Sequence, residues 1–273
     1  MNVIHMDLKS LYPFLDVADL TVYVPEDISR EYPPAGGPRP TVLVLPGGGY
    51  QMCSLREAEP VALDFLAANF TVAVLMYTNG QYAHPSQLLA VAAAVEQLTQ
   101  HAKEWRVDPD KIALCGFSAG AHCAGFYGNC YDLPEVQQKI KARPVAATVL
   151  GYPVISTDPA YYHGSSFAFL SGHDLPMTEE ESVKFSLDKQ VDEKTPPAFI
   201  WATATDTAVA VQHSLMYARA LADNHVPFEL HVFPAGHHGL STVDDRVNPP
   251  LEPAVTRCRA WVASAVAWLR ETL

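Results

Sequence analysis

The amino-acid sequence predicts an α/β fold, a doubly wound and mostly parallel sheet with helices on both faces. Short β-rich runs alternate along the chain with stretches of helical periodicity. Most of these runs are apolar throughout, which is typical of parallel strands covered on both faces. The predicted strands are 20–24, 41–46, 71–77, 111–116, 146–154, 198–203 and 228–233.

Helices are predicted between these strands from apolar residues at helical spacing. In the longest of them, one apolar stripe contains Leu88, Val91, Ala92, Val95 and Leu98. The predicted helices are 57–69, 87–105, 119–129, 212–224 and 256–273. Repeated alternation of strand and helix places helices on both sides of the sheet.

The whole chain, 1–273, is expected to be a single domain, because it contains no repeat, no low-complexity tract and no convincing linker. The Pro- and Gly-rich stretch 32–40 predicts a turn between early strands. The segment 156–197 is long, polar and irregular. It is the place where a small lid insertion is expected.

Composition and charge exclude several classes of function. Hydrophobic residues make up 49% of the 273 residues, which indicates a globular protein. A net charge of -12 gives the chain no electrostatic reason to bind nucleic acid or anionic lipid. The N-terminal residues have neither a basic region nor an apolar run of signal length, and no apolar stretch is long enough for a membrane span. The sequence does not specify the oligomeric state.

The cysteine and histidine spacings point away from metal and disulfide chemistry. Five cysteines are an odd number with no metal-type pairing, and they predict reduced, mostly buried thiols in a cytoplasmic protein. Neither H-E-x-x-H nor another metal-binding spacing occurs. We expect no metal and no cofactor.

The strongest candidate for chemistry is the sequence G-F-S-A-G over 116–120. It follows a predicted strand and precedes a predicted helix, which is the context of a nucleophile elbow. A serine on such a sharp turn exposes its hydroxyl, and small residues two positions before and after it let strand and helix approach closely. The N-terminus of the helix also turns its positive end toward the site. Ser118 is therefore the predicted nucleophile, and an ordinary turn serine is the alternative.

A second motif, P-G-G-G-Y over 46–50, follows the strand 41–46 directly. Three glycines after a strand let backbone amides turn toward a ligand, as they do in the loop that forms half of an oxyanion hole. We predict that the amides of Gly48, Gly49 and Ala119 form this hole. A plain turn or a phosphate loop is the alternative, although the sequence lacks both G-K-S/T and G-x-G-x-x-G.

A serine nucleophile needs an imidazole base, and the base needs an acid that orients it. After a nucleophile elbow, the acid and then the base follow the serine along the chain. Asp206 comes after the strand 198–203 and His238 after 228–233, so both belong to the carboxyl edge of the sheet, where ligands bind. Asp158 is the alternative acid.

Two neighbouring histidines compete for the role of base. His238 directly precedes Gly239, which lets the chain bend toward Ser118. His237 is then expected to face solvent or the lid. The other histidines are expected to be structural, packing or surface residues: His84, His122, His163, His173 and His213.

On these residues the chain resembles the esterase and lipase branch of the α/β-hydrolases, and within it small bacterial acetyl-esterase and xylan-esterase-like proteins. It departs from their pattern at Ala121 and at Ala210, where relatives often have glycine and proline, and its N-terminus is too short for a helical cap. The matching stretches follow the family's order: 46–50, 56–66, 105–122, 150–155, 195–214 and 226–241.

The resemblance implies a serine carboxylesterase that hydrolyses short-acyl, acetyl-like esters through an acyl-enzyme, sometimes on sugars. The expected partner is therefore a small-molecule ester. An amide or formamide hydrolase or a small peptidase could use the same residues, and a non-catalytic binding protein on this scaffold is a further alternative. Tyr50 and Phe117 lie on the site loops, where they are expected either to contact substrate or to belong to the core.

Overall fold

A central sheet organises the structure, a computed structural model that describes residues 1–26 and 37–273. Residues 32–36 of the predicted turn lie outside the described part. Within the described residues the sheet has eight strands in the order β1-β2-β4-β3-β5-β6-β7-β8. The strands are β1 (Asn2–Asp7), β2 (Asp19–Val24), β3 (Arg39–Leu45), β4 (Thr71–Met76), β5 (Val107–Phe117), β6 (Ala147–Gly151), β7 (Ala198–Thr203) and β8 (Phe228–Phe233).

Strand β2 pairs antiparallel with β1 and β4, and every other pair of neighbours is parallel. The prediction of a doubly wound, mostly parallel sheet is confirmed. The prediction missed β1, ended β6 too late and started β5 too late.

Helices connect the strands and cover both faces of the sheet. The predicted helix 87–105 is divided in two at His101. The described α-helices are α1 (Leu8–Leu11), α2 (Glu59–Ala67), α3 (Ser86–Gln100), α4 (Ala102–Trp105), α5 (Ala119–Cys130), α6 (Pro134–Gln137), α7 (Gly164–Ser171), α8 (Glu179–Lys184), α9 (Gln212–Asp223), α10 (Pro253–Thr256) and α11 (Ala260–Thr272). Short 3₁₀ turns occupy Leu55–Glu57, Leu187–Lys189 and Arg257–Arg259.

Successive side chains of the parallel strands point to opposite faces of the sheet. On one face, Val42 and Val44 of β3 belong to a core that includes α2 and α11. On the other face, Leu43 and Leu45 pack in a core with α3, α5 and α9. Strands β3, β4, β6 and β7 are buried on both faces over most of their length, which explains why their sequences are largely apolar.

The segment 156–197 is less irregular than its sequence suggested. It contains α7 and α8, and α7 is anchored in the core by Phe167 and Leu170. Helix α8 begins with a capping box, in which the Thr178 hydroxyl accepts from the amide of Glu181 and the Glu181 carboxylate accepts from the amide of Thr178.

The five cysteines are all buried free thiols. Burial raises the pKa of the Cys115 and Cys123 thiols well above the ordinary value, so both remain protonated. None of the helices in residues 1–26 and 37–273 has the length and apolar character that crossing a membrane requires.

A pair of stacked tryptophans joins α11 to the sheet. The rings of Trp261 and Trp201 lie 5.1 Å apart between centroids at an interplanar angle of 10°, and both side chains are fully buried. The indole Nε1 of Trp261 also donates to the carbonyl oxygen of Ser241 at 2.9 Å. Trp261 therefore fixes both the helix and the loop that follows β8.

Replacing this tryptophan should destabilise the protein strongly. Trp261→Ala is expected to lower the free energy of unfolding by about 3–5 kcal/mol, because it leaves a cavity and an unpaired carbonyl. Leu55→Ala is the control, since Leu55 is 73% exposed and its loss should cost no more than about 0.5 kcal/mol. Urea unfolding followed by circular dichroism measures both, and equal effects would contradict the prediction.

Candidate active site

Ser118 lies on the turn between β5 and α5. Its backbone angles, φ 53° and ψ −120°, are ones that L-residues avoid. A Cβ built at Gly116 would lie 2.2 Å from the carbonyl oxygen of Gly120, and one built at Gly120 would lie 2.1 Å from that of Leu45. Glycine is therefore required at both positions, because β3, β5 and α5 approach so closely.

Three residues from separate loops form one chain of hydrogen bonds. His238 Nε2 lies 2.8 Å from the Oγ of Ser118, and His238 Nδ1 lies 2.7 Å from Oδ2 of Asp206. Asp206 follows β7 and His238 follows β8, so both reach the elbow from the carboxyl edge of the sheet. The structure thus brings together the three residues that the sequence singled out. In this arrangement an imidazole can accept the serine proton while a carboxylate orients it.

The Asp206 side chain is fixed and 1% exposed. Its Oδ1 accepts hydrogen bonds from the amides of Ala208 at 2.9 Å and Val209 at 3.0 Å. Burial raises the pKa of the Asp206 carboxyl, but the hydrogen bond from His238 and those two amides outweigh burial, and the pKa is lowered. Asp206 is therefore an ionised carboxylate at neutral pH.

The alternative acid and the alternative base lie in other contacts. Asp158 Oδ1 accepts from the amide of Ala160 at 2.9 Å and so closes a turn. His237 is exposed, and its Nδ1 lies 2.8 Å from the carbonyl oxygen of His238. Among the described residues, neither Asp158 nor His237 hydrogen-bonds to a side chain of the Ser118–His238–Asp206 chain.

The loop after β3, residues 46–50, lies against the elbow. A Cβ built at Gly47 would lie 3.0 Å from the Cβ of Ser118. Gly48 and Gly49 have φ angles of +133° and +63°. Within the described chain, the amides of Gly48, Gly49 and Ala119 donate to no protein acceptor. Unpaired amides at this position, beside a helix N-terminus, suit a developing oxyanion.

Tyr50 and Phe117 are both in the core. Tyr50 is 1% exposed and Phe117 is fully buried. The Tyr50 hydroxyl bonds to Nδ1 of His122 at 2.7 Å, and the Phe117 ring packs on Trp261 with centroids 5.7 Å apart. Neighbouring side chains close off both residues, so the structure favours the core assignment over a substrate contact.

His122 has the structural role expected for it. The ring is fully buried in α5, and its Nε2 donates to the carbonyl oxygen of Phe185 at 2.8 Å. Burial lowers the pKa of His122 to about 4, so the ring is neutral and its Nδ1 accepts from the Tyr50 hydroxyl.

Helix α7 brings a histidine to the site that the sequence placed at the surface or in packing. Burial and the nearby charge of His238 lower the pKa of His163. His163 Nδ1 lies 2.8 Å from Oγ of Ser166, and that oxygen would lie 3.7 Å from a Cβ built at Gly49. No motif marks His163, because packing alone brings it there.

Sequence reasoning also gave no role to Glu57. Its side chain is buried under the loop 46–50, where Oε2 accepts from the Gly47 amide at 2.8 Å. Its Oε1 accepts from the Tyr152 hydroxyl at 2.6 Å. Burial raises the pKa of Glu57. The sequence signal that could have identified Glu57 is its place as a charged residue within 56–66, one of the stretches that carry the family resemblance.

Comparison with known proteins gives a family and several relatives. Residues 23–221 match the family model BD-FAE. The chain is 38% identical over 216 residues to endo-1,4-β-xylanase B of Butyrivibrio fibrisolvens and 27% identical over 228 residues to an acetylxylan esterase of Xylanibacter ruminicola. The two matches cover 76% and 81% of this chain but 33% and 43% of the relatives, so the chain spans less than half the length of these curated proteins.

Solved structures match along nearly the whole chain. The acetyl ester-xyloside bifunctional hydrolase of Caldicellulosiruptor lactoaceticus has a TM-score of 0.82 at 29% identity, over 98% of this chain and 96% of that one. MGS-M1, an α/β hydrolase enzyme from a Medee basin deep-sea metagenome library, has a TM-score of 0.79 at 30% identity, over 100% of this chain and 98% of that one. The predicted α/β-hydrolase fold is confirmed.

The two neighbouring histidines should differ sharply in their effect on Ser118. His238→Ala is expected to abolish reaction of Ser118 with a fluorophosphonate probe, because the imidazole that lies 2.8 Å from Oγ is removed. His237→Ala, the matched control, should change the labelling rate by about tenfold or less. Intact-protein mass spectrometry over time measures both rates. The reverse ranking would make His237 the base.

Proposed function

This chain belongs to the BD-FAE family and has the α/β-hydrolase fold, and from that premise we propose that it is a serine carboxylesterase that removes short acyl groups, acetyl above all, from acetylated sugars. The hydrogen-bonded chain from Ser118 through His238 to Asp206, beside three unpaired amides, carries the proposal. The names of an acetylxylan esterase and an acetyl ester-xyloside hydrolase among the relatives support the acyl group and the sugar.

The first half of the reaction forms an acyl-enzyme. His238 Nε2 takes the proton of the Ser118 hydroxyl while Oγ attacks the ester carbonyl carbon. The amides of Gly48, Gly49 and Ala119 stabilise the tetrahedral oxyanion, and loss of one such donor typically costs about 10²–10³ in kcat. The ester C–O bond then breaks, and His238 gives its proton to the leaving alcohol.

The second half releases the acid. Water attacks the acyl carbon while His238 accepts a proton from it, and collapse of the second tetrahedral intermediate returns that proton to Ser118 Oγ. Asp206 accepts the hydrogen bond of Nδ1–H throughout. It keeps the imidazole in the tautomer that leaves Nε2 free and stabilises the imidazolium when it forms.

The segment 156–197 supports a preference for short acyl groups. In the proposal it is a small cover fixed by α7, whose Ser166 lies beside Gly49 and whose preceding His163 lies near His238. Ser118 is 7% exposed, which leaves a narrow approach.

Five buried free thiols favour a reducing compartment, and we place the enzyme in the cytoplasm on that ground.

The acid assignment can be tested with a pair of isosteric variants. Asp206→Asn should lower kcat for a short ester by about 10³–10⁴ with little loss of thermal stability, because the amide favours the wrong tautomer of His238. Asp158→Asn is the matched control and should leave kcat within about twofold. A larger loss in Asp158→Asn would transfer the role of acid to that residue.

The substrate class is tested with a panel of acyl esters. The kcat/KM for p-nitrophenyl acetate should exceed that for the octanoate, and acetylated xylo-oligosaccharides should release acetate. Ser118→Ala is the blank and should lose about three or more orders of magnitude. A p-nitroanilide of acetate is included, since faster cleavage of the anilide would identify an amide hydrolase. Faster hydrolysis of the octanoate would contradict the short-acyl assignment.

A further inference from the structure

Two adjacent residues, Arg56 and Glu57, contact both loops that carry the proposed chemistry. We propose that Arg56-Glu57 is a positioning element that ties the oxyanion loop (residues 46–50) to the histidine loop (residues 234–248). In this proposal the buried Glu57 carboxylate also helps to stabilise the positive charge that His238 carries during the reaction. The inference rests on the proposed function, because it assigns roles within that same site.

Glu57 begins a continuous path from one loop to the other. Its Oε2 accepts from the amide of Gly47 in the oxyanion loop at 2.8 Å. Its Oε1 accepts from the hydroxyl of Tyr152 at 2.6 Å, and that hydroxyl accepts from the amide of Ser241 in the histidine loop at 2.9 Å. One carboxylate and one phenol therefore set the separation of the two loops.

Arg56 holds the histidine loop from the other side. Its Nε donates to the carbonyl oxygen of Val247 at 2.7 Å, and its Nη2 donates to that of Gly239 at 3.1 Å and to Oδ1 of Asn248 at 2.7 Å. The Arg56 carbonyl oxygen accepts from the Ser241 hydroxyl at 2.6 Å. Gly239 directly follows His238, so Arg56 binds the residue next to the proposed base.

The hydrogen bonds of Glu57 favour its ionised form and oppose the burial that raises its pKa. The Tyr152 oxygen accepts from the Ser241 amide, so the one proton of its hydroxyl is directed at Glu57. The Gly47 amide can only donate. Both carboxylate oxygens therefore accept, and both hydrogen bonds stabilise the carboxylate. Glu57 is 4% exposed, so its negative charge is weakly screened.

Tyr152 contacts both Glu57 and His238. The Tyr152 ring packs edge-on against the His238 ring with centroids 5.0 Å apart. The titratable groups that interact with Glu57 are Arg56, His238, Tyr77, Tyr152, Cys53 and Cys115. The other titratable groups that interact with His238 are Asp206 and His163. Asp206 and Glu57 are the carboxylates among these groups.

Glu57→Gln removes the negative charge but keeps the size and shape of the side chain. The kcat for p-nitrophenyl acetate is expected to fall by about tenfold to a hundredfold with KM little changed, because the base is displaced and less well supported. The variant removes a buried negative charge that lies near the imidazole through Tyr152. The acid limb of kcat/KM should therefore move to lower pH by about half a unit. An unmoved acid limb overturns the proposal, since a merely structural residue would leave it in place.

Tyr152→Phe breaks the hydrogen-bonded path between the two loops and leaves the Glu57 side chain unchanged. Its kcat should fall by about tenfold with KM little changed. Tyr217→Phe is the matched control, because this buried hydroxyl donates to Asn129 at 3.0 Å outside the two loops. An equal fall in both tyrosine variants overturns the proposal, and this pair decides the matter if Glu57→Gln does not fold. Activity retained in Ser118→Ala would instead remove the proposed function.

Discussion

The close approach of β3, β5 and α5 is the constraint on which the rest of the site depends. Carbonyl oxygens of Leu45 and Gly120 occupy the positions where a larger residue at Gly120 or Gly116 would place its Cβ. This approach holds Ser118 in a backbone conformation that costs about 1–3 kcal/mol. The cost is offset because the Ser118 amide donates to the Gly151 carbonyl oxygen at 3.0 Å and because every residue of α5 is buried.

The fold could be predicted wherever burial leaves a clear mark on the sequence. Strands β3, β4 and β7 are covered on both faces, and their apolar runs gave their positions to within two residues. Strand β1 was missed because it is an edge strand in which Val3 is exposed and Ile4 is partly buried, a weak alternation at the chain end. Helix α8 was missed although Thr178 and Glu181 have the spacing of a capping box, which indicates a helix N-terminus.

Some residues of the proposed site could be placed from the sequence and others could not. Ser118, Asp206 and His238 could be placed together because each follows a strand, and the carboxyl ends of parallel strands meet at one edge of a sheet. Chain order says nothing about Glu57 and His163. Their contacts depend on which side chains the packing brings together, and neither the burial of a charge nor a hydrogen bond across loops can be read from spacing.

The buried carboxylate of Glu57 is better explained by the site than by the fold. Taking a carboxylate out of water costs several kcal/mol, and an apolar side chain of similar volume is often neutral or stabilising in such a place. An apolar residue could pack beneath the oxyanion loop, but it could not accept from the Gly47 amide and the Tyr152 hydroxyl together. The backbone is strained at Tyr152 and Ser241, whose φ angles are 35° and 50°. The hydrogen bond from the Ser241 amide to the Tyr152 hydroxyl holds both residues in place, and Glu57 accepts the proton of that hydroxyl. A charge that is costly to the core therefore fixes the geometry in which the proposed base meets the proposed nucleophile.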